Sequence, residues 1–252
     1  METILEVKNL TVIFHQKGRP SFAAVDHVSF LLRAGETLGI AGESGSGKST
    51  LAKAVTRLLD PTEGTIRLFG EDMNHVRGSA LRRMYRDIQM IFQDPVSSFD
   101  LRRTLGDGIA ESLYNGRLSQ MEIRKRVEKL LRQCELPEEF AGRYPHEVSG
   151  GECQRAAIAR ALAVQPRILI CDEATSALDV TVQQEIMELL KRLKQENGLS
   201  CLFISHNLAL VQSFCDRLLV MHEGKVTEEG TVDEVIRNPR SEYTKLLIES
   251  VL

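Results

Sequence analysis

The chain has 252 residues, 42% of them hydrophobic and 27% charged, which is enough apolar content for one large core or two modest ones and argues against a disordered polymer. Its 32 Lys and Arg stand against 35 Asp and Glu, a net charge of -3, so no general electrostatic pull draws it toward nucleic acid or acidic lipid. Five cysteines without a C-x-x-C pair form neither a disulfide framework nor a zinc site.

The opening METILEVKNL lacks the basic start and long apolar stretch of a signal peptide. No apolar run approaches the ~18 residues of a membrane-spanning helix. A cytoplasmic protein is expected, with any membrane role coming through a partner. ILEVKNLTVIF (4–14) and AAVDHVSFLL (23–32) alternate in polarity and predict an antiparallel edge layer. ETLGIA (36–41) is apolar throughout, as expected of a strand covered on both faces, and it runs into GESGSGKST and a predicted helix STLAKAVTRLL (49–59). LRRMYRD (81–87) and RKRVEK (124–129) read as solvated helix faces, and IQMIF (88–92) as another covered strand.

From there to about Arg167 the chain looks helical or looped. Its clearest helix opens at SQME, where Ser119 can cap and Glu122 reach back, with Ile123, Val127, Leu130, Leu131 and Cys134 on one face. RILIC (167–171) and CLFIS (201–205) are further covered strands. Between them TVQQEIMELLKRLKQENG (181–198) predicts a helix with Val182, Ile186, Leu189, Leu190 and Leu193 inward and Gly198 as its stop. The pattern predicts an α/β fold with a mostly parallel sheet, an antiparallel β edge layer and a helical subdomain. All 252 residues form one domain: 1–94 and 165–237 make the core with its antiparallel layer, 95–164 the helical subdomain, and 238–252 a helical tail.

GESGSGKST is a phosphate loop between a strand and a helix. Gly42, Gly45 and Gly47 let backbone N–H groups turn inward, and the helix start adds partial positive charge. Glu43, Ser44, Ser46 and Thr50 complete the cradle, Lys48 reaches the outer phosphates, and the Ser49 hydroxyl suits Mg²⁺. RILICDE ends in two carboxylates: Asp172 is expected beside the loop to help hold Mg²⁺, and Glu173 to act as general base or water-polariser. His206 after CLFIS can donate to a γ-phosphate or the attacking water. The amide oxygen of Gln93 can reach Mg²⁺, while its loop leads into the helical insertion.

Taken in order, GESGSGKST, FQDP, VSGGECQR, ILICDE, SALD (176–179) and SHN (205–207) resemble the nucleotide-binding subunits of ABC transporters over nearly the whole chain. QDPVSSFDLRRTLGDGIAE (93–111) and NPRSEYTKLLIES (238–250) look like the peptide/nickel import branch, although SFDLR lacks a proline expected there. The resemblance implies a P-loop NTPase fold and hydrolysis of ATP with Mg²⁺. It also implies a head-to-tail pair, in which Ser149, Gly150 and Gly151 of one subunit close on the ATP of the other and Asp179 belongs to the nucleotide site. The branch implies two different ATPase chains, two permeases and an extracytoplasmic solute-binding protein, hence a peripheral place on the cytoplasmic face of the membrane and no nucleic-acid partner. Adenine is expected to stack on Phe14, with Phe22 the alternative. Val148 and Glu152 replace the usual leucine and glutamine of the signature, and Glu152 puts a carboxylate near a polyphosphate.

Other classes stand beside this one. A soluble ATPase of the same type acting on nucleic acid or ribosomes would usually carry two cassettes, long coiled arms or basic surfaces. A P-loop kinase has no use for VSGGECQR. A subunit that holds ATP without cleaving it would not need Glu173 and His206.

Overall fold

The computed structural model describes residues 2–15, 20–116 and 118–250, so Met1 of the predicted N-terminal stretch and residues 251 and 252 of the predicted tail lie outside it. The chain begins with β1 (Thr3–Phe14), β2 (Phe22–Arg33), β3 (Thr37–Ala41), α1 (Lys48–Val55), β4 (Glu63–Leu68), β5 (Glu71–Asp72) and α2 (Gly78–Asp87). It continues through β6 (Ile88–Ile91), α3 (Leu105–Ala110), α4 (Gln120–Gln133), α5 (Gly150–Leu162), β7 (Ile168–Asp172) and α6 (Val180–Asn197). Then come β8 (Ser200–Ile204), α7 (Leu208–Phe214), β9 (Arg217–His222), β10 (Lys225–Thr231), α8 (Val232–Arg237) and α9 (Glu242–Glu249). These elements form two compact units, one joining Met1–Tyr85 to Ser200–Leu252 and the other spanning Arg86–Leu199.

The first unit carries an antiparallel sheet in the order β2-β1-β4-β5. Leu5, Val7, Leu10 and Val12 of β1 and Val25, Val28, Phe30 and Leu32 of β2 are buried. The alternation slips near Leu10, where the register shifts and Asn9 and His27 take φ of 47° and 53°. Side chains hold the backbone there: Asn9 N–H donates to Ser29 Oγ at 2.8 Å and His27 N–H to Thr11 Oγ1 at 3.1 Å, as a bulge requires.

In the same unit β3 runs parallel to β8 and β9, and β10 returns antiparallel along β9. Every residue of β3 and β8 is buried, which explains their unbroken apolar composition. α7 packs so closely on β3 that a Cβ at Gly39 would lie 3.0 Å from Cys215 Sγ. α1 stops at Val55, short of the predicted 59. The Thr56 hydroxyl donates back to Ala52 O at 2.9 Å and Arg57 turns left-handed at φ 56°, so the helical ladder ends there.

The second unit holds the parallel pair β6–β7, registered from Ile88↔Ile168 to Ile91↔Cys171, together with α3 to α6. Ser119 and Glu122 form the predicted capping box of α4, and Ile123, Val127, Leu130 and Leu131 are buried beneath it with Cys134 as the C-cap. Asp179 caps the start of α6, while Gly198 closes its end at φ 63°. Met187 joins the buried face of α6, and Val182 is only half-buried. Arg155 of α5 pairs with Glu185 of α6 at 2.9 Å and with Glu135. No helix among the described residues is long and apolar enough to cross a membrane. None of the five cysteines is joined in a disulfide.

Candidate functional site

The phosphate loop is shaped by what surrounds it. Gly42 has φ 150°, and a Cβ there would fall 2.1 Å from the carbonyl oxygen of Met221 on β9. Gly47, at φ 102°, would bring a Cβ 2.1 Å from the carbonyl of Ala24 on β2. Gly45 at φ 82° faces open space. Two glycines are therefore fixed by both conformation and room, and one by conformation alone. Gly224 N–H donates to Ser46 O at 3.0 Å, tying the loop to the β9–β10 turn.

α1 starts directly behind the loop. Its N-cap, Gly47, offers no side-chain acceptor and its first turn holds no acid, a helix start whose chemistry suits an anion. Lys48 is only 4% exposed. Its ammonium donates to Gly42 O at 2.7 Å, Glu43 O at 2.6 Å and Ser46 Oγ at 3.3 Å, which holds a buried cation at the centre of the cradle. Ser49 and Thr50 are half-buried on the first turn, and Glu43 and Ser44 form the exposed rim. A glycine-shaped loop holding a buried lysine at a helix start is suited to a polyphosphate.

In the second unit the carboxyl end of β7 gathers a different chemistry. Asp172 ends the strand at 5% exposure. Glu173 follows with φ 48°, a left-handed conformation that costs a residue with a Cβ about 1–2 kcal/mol and concentrates at functional positions. Gln93, just past β6, donates from Nε2 to Glu173 Oε2 at 3.1 Å. It also donates to Ser176 Oγ at 3.4 Å, and Ser176 donates to Glu173 O at 3.0 Å. Two residues predicted separately are thus brought into contact, and Ser176 is a partner the sequence reading missed.

The segment after Gln93 is anchored. Asp94 accepts the N–H groups of Val96 and Ser97 at 3.0 and 3.2 Å. Arg160 of α5 donates to Ser98 Oγ at 2.8 Å and lies 4.2 Å over the Phe99 ring. The loop bearing Gln93 is therefore held to the helix that begins at Ser149.

Ser149 is the N-cap of α5, exposed together with Gly150. Glu152 does not project outward as a free carboxylate: its Oε2 accepts Ser149 N–H at 2.7 Å and Ser149 Oγ at 2.8 Å in a capping box. Those bonds, backbone first and hydroxyl second, hold its carboxyl below the usual range. Gly151 has its own constraint, since a Cβ would lie 2.6 Å from Val182 Cγ1. Asp179 spends Oδ1 on Val182 N–H at 3.0 Å.

His206 lies exposed at the carboxyl end of β8, between Ser205, whose N–H donates to Ile40 O at 3.2 Å, and Asn207, the N-cap of α7. Phe14 and Phe22 face each other across the open end of β1 and β2, ring centroids 5.6 Å apart, with Phe22 51% exposed. Phe22 sits two residues before Ala24, the residue that abuts Gly47.

The ABC transporter family profile matches residues 25–176. Over 99% of its length the chain is 45% identical to the oligopeptide transport ATP-binding protein OppF of Salmonella typhimurium, covering 78% of that protein. It is 42% identical, again over 99% of its length and 79% of the relative, to the di/tripeptide transport ATP-binding protein DppF of Pseudomonas aeruginosa. Among solved structures it is similar to the dimeric post-hydrolysis ATP-binding cassette MJ0796 bound to ADP and Pi, at TM-score 0.83 and 32% identity, covering 91% of this chain and 99% of that one.

Proposed function

The chain belongs to the ABC transporter family, and from that premise we propose that it is the ATP-hydrolysing subunit of a membrane importer for peptides. The relatives named for oligopeptide and di/tripeptide transport favour peptide cargo over nickel or metal complexes, and favour a transporter over an ATPase of nucleic acid or ribosomes. The observation that carries the reading is the hydrogen bond between Gln93 and Glu173, which ties the hydrolytic carboxylate to the head of the segment entering the helical region.

In this reading the triphosphate lies in the cradle of Gly42 to Thr50, and Lys48 turns its ammonium from Ser46 Oγ to the outer phosphate oxygens. Glu173 accepts a proton from the attacking water as oxygen forms its bond to the γ-phosphorus and the bond to the bridging oxygen of ADP breaks. His206 donates a hydrogen bond to the γ-phosphate, and Phe14, with Phe22 beside it, stacks on adenine. Mg²⁺, when bound, neutralises charge on the phosphate oxygens. Ser49, Gln93 and Asp172 would hold it, and their hydroxyl, amide and carboxylate oxygens are the hard donors it prefers.

Ser149, Gly150 and Gly151 serve a second ATPase chain, closing head to tail on the nucleotide in its phosphate loop, with Asp179 nearby. Two ATP molecules then join the surfaces, and loss of the γ-phosphate lets them part. Two different ATPase chains, two permeases and an extracytoplasmic solute-binding protein complete the machine on the cytoplasmic face of the membrane. Residues 1–94 and 165–237 act as the nucleotide-handling core, 95–164 as the helical subdomain whose 95–147 region transmits motion to a permease, and 238–252 forms the tail.

Glu173→Gln tests the reading. Removing a general base lowers turnover by about 10²–10⁴-fold. Nucleotide affinity should stay intact and an ATP-bound dimer should accumulate on gel filtration. Unchanged turnover would refute the assignment of Glu173.

A further inference from the structure

The C-terminal helix reaches back to the phosphate loop. Tyr243, on the first turn of α9, accepts the backbone N–H of Glu43 on its phenolic oxygen at 3.1 Å. Its ring stacks on His222, the last residue of β9, with centroids 3.8 Å apart and 28° between planes. His222 lies between the two points where the β9–β10 turn meets the loop: Met221 O, which occupies the space a Cβ at Gly42 would need, and Gly224 N–H, which donates to Ser46 O at 3.0 Å. One side chain thus touches the loop directly at Glu43 and, through a stacked ring, the turn that bounds it on the other side.

This contact is built in rather than brushed. Glu228 of β10 is a buried carboxylate that accepts Arg240 N–H at 2.8 Å and Ser241 N–H at 3.0 Å, fixing the chain just before α9. Leu247 is buried on the same helix, one turn beyond Tyr243. The tyrosine is therefore delivered to Glu43 by a docked segment with a hydrogen-bonded entry and an apolar anchor.

We propose that Tyr243 is a positioning residue for ATP binding, holding the first turn of the phosphate loop in its binding-ready conformation from behind. The proposal rests on the nucleotide reading of that loop. With its N–H committed to Tyr243, Glu43 is a structural member of the loop, and the turn it opens, closed by Ser46 N–H donating to Glu43 O at 3.2 Å, is ordered before the ligand arrives. Loss of the phenolic hydroxyl releases one backbone donor at the rim and lets the turn relax, so the cost falls on binding and leaves the chemical step untouched.

The experiment compares the wild-type chain with Tyr243→Phe, Tyr243→Ala and Lys48→Ala. ATP affinity is read by equilibrium fluorescence of a labelled ATP, and stability by thermal unfolding. KM and kcat are read in the assembled transporter. Tyr243→Phe keeps the ring stack and loses one hydrogen bond, so the Kd and KM for ATP should rise by about two- to tenfold with kcat unchanged and the melting temperature lowered by no more than about 4 °C. Tyr243→Ala loses the stack as well and should bind more weakly still. If Tyr243→Phe binds ATP as tightly as the wild type, or more tightly, the inference is overturned, and a lowered melting temperature with unmoved Kd would assign the tyrosine to tail docking alone. If wild type and Lys48→Ala bind ATP equally, the nucleotide reading of the loop itself falls.

Discussion

The three loop glycines separate space from conformation, and alanine at each should show it. At Gly42 the new methyl meets Met221 O at 2.1 Å and Ser46 Oγ at 2.9 Å. The first of these is strand backbone near the end of β9, paired with Val226 of β10, so it cannot rotate away. Reaching ordinary non-bonded separation needs about 1 Å of movement by the loop itself. A displacement of about 1 Å at a reacting group costs on the order of 10²-fold in rate, so Gly42→Ala should lose roughly that much kcat/KM for ATP. Gly45→Ala meets nothing within 4 Å and carries only its positive φ of 82°. Left-handed strain of about 1–2 kcal/mol caps its loss near thirtyfold. Steady-state ATPase with the partner subunits present, alongside thermal unfolding of each variant, reads both numbers. Equal losses for Gly42→Ala and Gly45→Ala would refute the claim that β9 sets the shape of the cradle.

Two further outcomes follow from packing. Gly151→Ala should be destabilising by about 1 kcal/mol in denaturant unfolding, since its methyl lands 2.6 Å from Val182 Cγ1 while alanine gains helix propensity; adding Val182→Ala should recover at least half of the loss, and an additive pair would contradict the contact. Burial pushes the thiols of Cys134 and Cys153 up to about 12 and about 11, so iodoacetamide at pH 8 should modify the half-exposed Cys215 first and these two only after unfolding. Fast labelling of Cys134 in the folded chain would count against the core as described.

Much of this molecule could be read from residue order because the informative segments are locally determined. The covered strands ending at Ala41, Asp172 and Ile204 are continuous apolar runs with no competing helical period, and the caps at Ser119 and Gly198 act within one turn. The hairpin of β9 and β10 carries a local signal as well. Glu223 and Gly224, at φ 46° and 80°, are the two left-handed residues of a tight hairpin turn, and RLLVMH before them is a strand run. Glu152 stands at the helix start where the sequence puts it, and its capping-box spacing from Ser149 also gives its carboxylate a local acceptor role. The pairing of Gln93 with Glu173, eighty residues apart, and the approach of Tyr243 to Glu43, two hundred apart, depend on tertiary placement that no local period encodes.

The proposed shared active site is tested most directly by Ser149→Arg in the assembled transporter, with a photoreactive ATP analogue reporting occupancy on each ATPase chain separately under turnover conditions. A large side chain at the start of α5 should abolish trapping of nucleotide on the partner ATPase while this chain's own phosphate loop still labels. Labelling lost here and retained on the partner would contradict the head-to-tail arrangement.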